Sequence, residues 1–87
     1  MDTYNPQRIT MFGAQWCGDC RRSKTQLDTH GVDYDNVDLE AVPEAADTAA
    51  ELAGRKNIPV VVFPDGAVQC EPSDPELHGK LSSLGVV

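Results

Sequence analysis

Cys17 and Cys20, within Trp16-Cys17-Gly18-Asp19-Cys20, are the residues of this 87-residue chain whose types and spacing could do chemistry. As a structural staple the pair is poor, because the loop it closes is too small to remove much chain entropy. In a chain without secretory features, Cys-x-x-Cys points to redox exchange or to half of a metal site. Redox exchange needs a thiolate, since the ionised sulfur is what attacks a disulfide. A cysteine at the first turn of a helix meets unpaired backbone N–H groups and the positive end of the helix dipole. Both favour the ionised form, and Cys17 is expected there. Cys20, three residues on, shares its helix face and lies close enough to attack a mixed disulfide on Cys17. The expected order is attack by Cys17 and resolution by Cys20.

Charge near the pair works in both directions. Asp19 suits a helix start, yet its carboxylate two residues from the sulfur opposes a second negative charge. Arg21 and Arg22 act against it from the next turn. Asp19 is therefore expected to modulate Cys17. The competing chemistry is zinc, since Cys70 and His78 would complete a Cys₃His set suited to tetrahedral coordination. Structural zinc sites usually bring a second close pair, and Cys70 and His78 stand eight apart, so no metal is expected. Cys70 alone reads as a small buried hydrophobe, with a modifiable thiol as the alternative. His30 and His78 read as surface residues at helix ends.

Positioning the cysteines requires a strand before them and a helix after them. Residues 8–13 mix apolar and β-branched types and read as the strand. Residues 19–30 lack Pro and Gly, and Gly31 supplies a stop, so a helix of about three turns is expected there. Residues 32–39 alternate as a half-buried strand, with Tyr34, Val37 and Leu39 as core contacts. Pro43 fits a first helical turn, and Ala45, Ala46, Ala49, Ala50, Leu52 and Ala53 continue that helix to Gly54. After a loop at 55–59, residues 60–63 form a run of β-formers fit for a buried central strand. Pro64-Asp65-Gly66 is turn chemistry, and 67–70 return as a hairpin partner. A last helix over 75–84 follows, capped by Ser73 or Asp74. This order predicts an α/β sandwich with a parallel βαβ start and a closing hairpin. Residues 1–7 are expected to be a flexible leader and 8–87 a single domain.

Composition excludes several partners. Hydrophobic content of 40% with 24% charged residues fits a globular domain rather than a disordered one. No apolar stretch approaches the ~18 residues of a membrane span. The polar, acid-bearing N-terminus is no secretory signal, so cytoplasmic residence is expected. A net charge of −7 disfavours nucleic acid and anionic membranes. Five of the seven basic residues nonetheless cluster, as Arg21-Arg22-Lys24 and Arg55-Lys56.

Trp16-Cys17-Gly18-Asp19-Cys20 after a strand, Ile58-Pro59 before a buried strand, then Phe63-Pro64-Asp65-Gly66 and Pro72-Ser73, resemble the glutaredoxin branch of the thioredoxin superfamily. Within it the chain looks most like the mycoredoxins, actinobacterial glutaredoxin-like proteins that use mycothiol. The resemblance spans residues 8–84. It implies a thioredoxin-like (glutaredoxin) fold, a four-stranded mixed sheet flanked by three helices. It implies an enzyme with no bound cofactor, taking a low-molecular-weight thiol (mycothiol or glutathione) as co-substrate. Its partners would be that thiol, disulfide-containing proteins and a flavoprotein reductase, and the protein would be a monomer. By the same resemblance Cys17 is the nucleophile and Cys20 the resolving cysteine. Pro59 would be a cis-proline facing them, although trans is the commoner state for X-Pro on general grounds. Ile58 would offer its backbone N–H and C=O to an extended substrate. The fold would bring Arg21, Arg22, Arg55 and Lys56 to one groove, where an anionic thiol or acidic segment docks. Trp16 would either contact substrate or pack beneath the loop.

The sequence departs from the family pattern at four points, the mildest being Ile58 before Pro59, where Val is more common. Glutathione-using members carry Gly-Gly-x-Asp where this chain has Cys70-Glu71-Pro72-Ser73. Gly-Asp separates the cysteines where an aromatic second residue is more usual. A second Trp, found in the tail of redoxins that serve ribonucleotide reductase, is missing.

Overall fold

A computed structural model describes residues 7–87, so most of the expected leader lies outside the described residues. The elements run β1 (Ile9–Gly13), α1 (Gly18–Thr29), β2 (Tyr34–Asp38), α2 (Ala45–Ala53), β3 (Val60–Val62), β4 (Val68–Cys70) and α3 (Asp74–Ser83). The four strands form one mixed sheet in the order β2-β1-β3-β4. β1 and β2 are parallel, while β3 runs antiparallel to both β1 and β4. This is the thioredoxin-like arrangement.

Strand alternation divides the core between the two faces of the sheet. Ile9 and Met11 of β1, with Val61 and Phe63 at β3, pack against Leu27 of α1 and Leu77 and Leu81 of α3. Phe12, Val60 and Val62 point the other way and meet Ala45 and Ala49 of α2. β3 is therefore buried on both faces, as its unbroken valine run requires. β2 also divides its side chains, with Tyr34 joining the α1/α3 layer and Val37, with Leu39 just past the strand's end, the α2 layer. Its register on β1 is reinforced by Arg8, which donates to Asp33 at 2.8 and 3.0 Å and to Asp35 at 3.0 Å.

Helix ends follow local chemistry. Ser73 caps α3 through a capping box, its hydroxyl accepting from the Glu76 N–H while the Glu76 carboxylate accepts from the Ser73 N–H. α2 ends at Gly54, whose φ of 78° is readily adopted without a Cβ. α2 begins at Ala45, two residues later than Pro43 suggested. Residues 41–44 instead make isolated turns, in which the N–H groups of Ala41 and Val42 donate to the Asp38 carbonyl.

Candidate active site

Cys17 is the N-cap of α1, with extended backbone at φ −87° and ψ 118°. Its own N–H donates to the Ala14 carbonyl at 3.2 Å, which turns the chain from β1 into the helix. The Cys20 N–H then points at the Cys17 sulfur from 3.2 Å. An amide donor at a helix N-terminus stabilises charge on that sulfur. On its other side the Cys17 thiol faces the Ile58 carbonyl oxygen at 3.8 Å. The Ile58–Pro59 peptide bond is cis, and Pro59 is fully buried beneath the site.

Cys20 lies behind Cys17 and is only 2% exposed. Burial, and next the contact with Cys17, push its thiol up to about 12. Gly13 makes its position possible: a Cβ there would stand 2.9 Å from the Cys20 sulfur. The sequence offered no sign of this, because nothing in the local pattern says that strand residue 13 lies over the second sulfur. The two cysteines are thus distinct in environment, one half-buried at the surface and one sealed against β1.

An open groove of about 580 Å³ passes over Cys17, lined by Trp16, Cys17, Gly18, Asp19, Lys56, Asn57, Ile58 and Glu71. Trp16 is 68% exposed, so it stands at the rim of the groove and does not pack beneath the loop. Lys56 is the one basic side chain in this lining. The expected convergence of both basic clusters is otherwise not met, because the arginines find partners elsewhere. Arg21 donates to the Gln15 carbonyl at 2.6 Å and lines a separate cavity of about 320 Å³ beside Cys20, Lys24 and Asn36. Arg22 bridges Asp19 and Asp74 and donates to the Pro72 carbonyl. Arg55 turns toward Cys70, its Nε 3.3 Å from the sulfur.

Sequence reasoning did not single out Glu71 as a site residue, although it lines the groove. Its signal was available as the acidic residue standing within the Gly-Gly-x-Asp position. Cys70 lies just outside the lining, half-buried, with its thiol facing the Asn57 carbonyl at 3.3 Å. His78 packs on His30, with ring centroids 5.4 Å apart. The four residues of the conceivable zinc set are therefore not gathered, and among the described residues no three His, Cys, Asp or Glu side chains converge to hold an ion.

Comparison with known proteins agrees with this geometry. The sequence profile of the glutaredoxin family matches residues 9–68. A Mycobacterium tuberculosis protein named as a glutaredoxin is 36% identical over 77 residues, covering 87% of this chain and 92% of its own. Mycoredoxin 1 of Corynebacterium glutamicum is 29% identical, covering 87% of this chain and 95% of its own. The solved structure of Escherichia coli NrdH-redoxin, described as glutaredoxin-like with a thioredoxin-like activity profile, superposes with a TM-score of 0.71 at 27% identity over 85% of this chain and 93% of that one. With its cysteine pair at the head of α1, the chain belongs to the glutaredoxin family of the thioredoxin superfamily and is a thiol–disulfide oxidoreductase.

Proposed function

We propose that the protein reduces mixed disulfides of a low-molecular-weight thiol of the mycothiol type, with Cys17 as nucleophile and Cys20 as resolving cysteine. The observation that carries the reading is the Cys17 sulfur, which accepts the Cys20 amide at 3.2 Å while opening on a groove edged by Trp16, Lys56 and Ile58. The Cys17 thiolate attacks a disulfide R–S–S–R′, forms Cys17–S–S–R and expels R′S⁻, which takes a proton from solvent. A small thiol R″SH then loses its proton and attacks the R sulfur, forming RS–SR″ and releasing Cys17 as the thiolate. Alternatively Cys20 loses its proton, attacks the Cys17 sulfur and expels RS⁻, leaving a Cys17–Cys20 disulfide. Two equivalents of thiol return that disulfide to the reduced state. Ile58, next to the cis-proline Pro59, presents a carbonyl to an extended substrate, and Trp16 offers an exposed ring in the same lining. Asp19 tempers the charge at Cys17. The partners are the small thiol and disulfide-bearing proteins, in the cytoplasm, with the protein acting as a monomer and holding no cofactor.

The similarity to Mycoredoxin 1 supports mycothiol as the electron source, and the substitution of Gly-Gly by Cys70-Glu71 argues against glutathione. The likeness to NrdH-redoxin supports a second reading, in which a flavoprotein reductase supplies the electrons. Oxidised protein offered mycothiol, glutathione or thioredoxin reductase with NADPH separates these readings. Turnover with mycothiol, and a mycothiol adduct on Cys17 in Cys20→Ser, is the expected result. Turnover with the reductase alone would replace the first reading by the second.

A further inference from the structure

The cavity beside Cys20 shares no lining residue with the groove over Cys17. It is built by β1, α1 and β2 and has a volume of about 320 Å³. At about 30 Å³ for each water, that is room for about ten waters, or for an organic molecule of about ten non-hydrogen atoms. The buried part of its lining is apolar, made by Met11, Gly13, Ala14 and Cys20. Water against such a wall finds few hydrogen-bond partners, and an apolar group displaces it favourably.

Two opposite charges in this lining have no ionic partner. Arg21 donates to the Gln15 carbonyl at 2.6 Å, but its guanidinium forms no ion pair among the described residues. Asp38 is half-buried and accepts the Glu40 N–H at 3.0 Å, and it too forms no ion pair among the described residues. Lys24, the other charge in the lining, is neutralised by Asp28 at 2.9 Å. Arg21 and Asp38 do not reach each other, so a ligand that carries both signs satisfies both. A lone anion would face Asp38 unpaired, and a lone cation would face Arg21.

We infer that this cavity binds a small zwitterion of the α-amino acid type with an aliphatic side chain. The ligand carboxylate pairs with Arg21, whose fork of donors suits that group. The ligand ammonium pairs with Asp38, and the aliphatic chain covers Met11, Gly13 and Ala14. Bound there, the ligand touches the second cysteine without entering the groove over the first.

The test titrates the reduced protein and follows the amide resonances of Gly13, Ala14, Asn36 and Asp38. The probes are L-leucine, 4-methylpentanoate, which lacks the ammonium, and 3-methylbutylamine, which lacks the carboxylate. Leucine should shift these resonances saturably and bind tighter than either relative by about threefold or more. Arg21→Gln should weaken leucine by a similar factor without weakening the amine. Asp38→Asn should weaken leucine without weakening 4-methylpentanoate. Because a substitution at Asp38 could disturb the turn that holds Glu40, the comparison of the three probes on wild type stands by itself. No saturable shift with leucine, or either relative binding as tightly as leucine, overturns the zwitterion site. Leucine affinity unchanged in both variants overturns the assignment of Arg21 and Asp38. Binding is read without thiol exchange, so a failure here leaves the reaction proposed at Cys17 standing.

Discussion

The Cys20 amide meets the Cys17 sulfur at 3.2 Å, while the Cys20 sulfur is turned inward against Gly13. One residue thus supplies a donor to its neighbour through its backbone and keeps its own thiol out of solvent. The arrangement separates the two steps of exchange: the outer sulfur is exposed to substrate, and the inner one becomes useful only when a mixed disulfide stands beside it.

The inner thiol makes stability depend on pH. Burial raises Cys20 from its ordinary 9.0 to about 12 in the folded protein. Between these values the unfolded chain releases the proton and the folded one retains it, so the unfolded state is favoured as pH rises. The stability that Cys20 contributes by staying neutral is complete below pH 9 and is lost on going toward 12. Urea denaturation of the reduced protein across that range should show a steeper decline in wild type than in Cys20→Ala. Parallel declines would mean that the buried thiol does not titrate abnormally.

Gly13 is open to a direct steric test. The methyl of Gly13→Ala would lie 2.9 Å from the Cys20 sulfur and 3.1 Å from its Cβ. Both belong to a sealed side chain in the first turn of α1, so relief requires the helix start to move. Overpacking of this kind costs about 1–3 kcal/mol, and the displaced sulfur should also close the Cys17–Cys20 disulfide more slowly. Denaturant midpoints and quenched-flow of the resolving step measure the two effects; wild-type values in both would show that the site is looser than described.

Asp19 tests the electrostatics of the outer sulfur. Its carboxylate is engaged by Arg22 at 2.9 Å. Asp19→Asn removes the negative charge and leaves the arginine in place. Alkylation of Cys17 by iodoacetamide at pH 6 to 7 should accelerate, by about two- to fivefold. Slower labelling in the variant would show that the acid supports the thiolate.

Much of the fold was legible because local signals agreed. Residues 60–63 were apolar throughout, and 60–62 became a strand buried on both faces, while Gly31, Gly54 and Ser73 marked helix boundaries that the structure keeps to within a residue or two. The start of α2 was misplaced because Pro43 permits a helix without requiring one, and the Asp38 carbonyl captured the preceding amides. Cys17 at a helix N-terminus was also readable, since a strand, a turn and a Pro-free run surround it. The groove was not. Clustering in sequence brought arginines near the site, but side chains of that length reach past it, so Arg21, Arg22 and Arg55 are held by Gln15, Asp19, Asp74, Pro72 and Cys70. Glu71 arrives from β4 through its pairing with Pro59, a contact made between distant parts of the chain.

The capping box of α3 offers a purely structural check. Ser73→Ala removes the hydroxyl that accepts from Glu76 N–H at 3.2 Å. The loss should be about 1 kcal/mol, read from urea denaturation at pH 7, with exchange kinetics at Cys17 unchanged. A change in those kinetics would place α3 closer to the chemistry than its position implies.

The division of labour between the two cysteines is tested most directly by which sulfur is alkylated first. Reduced protein is treated at pH 7 with limiting iodoacetamide, quenched over time and mapped by mass spectrometry. Cys17 should carry the first label, at a rate above that of a free peptide cysteine, with Cys20 unmodified until the protein unfolds. Labelling of Cys20 ahead of Cys17, or Cys17 no faster than the peptide, would contradict the assignment of nucleophile and resolver.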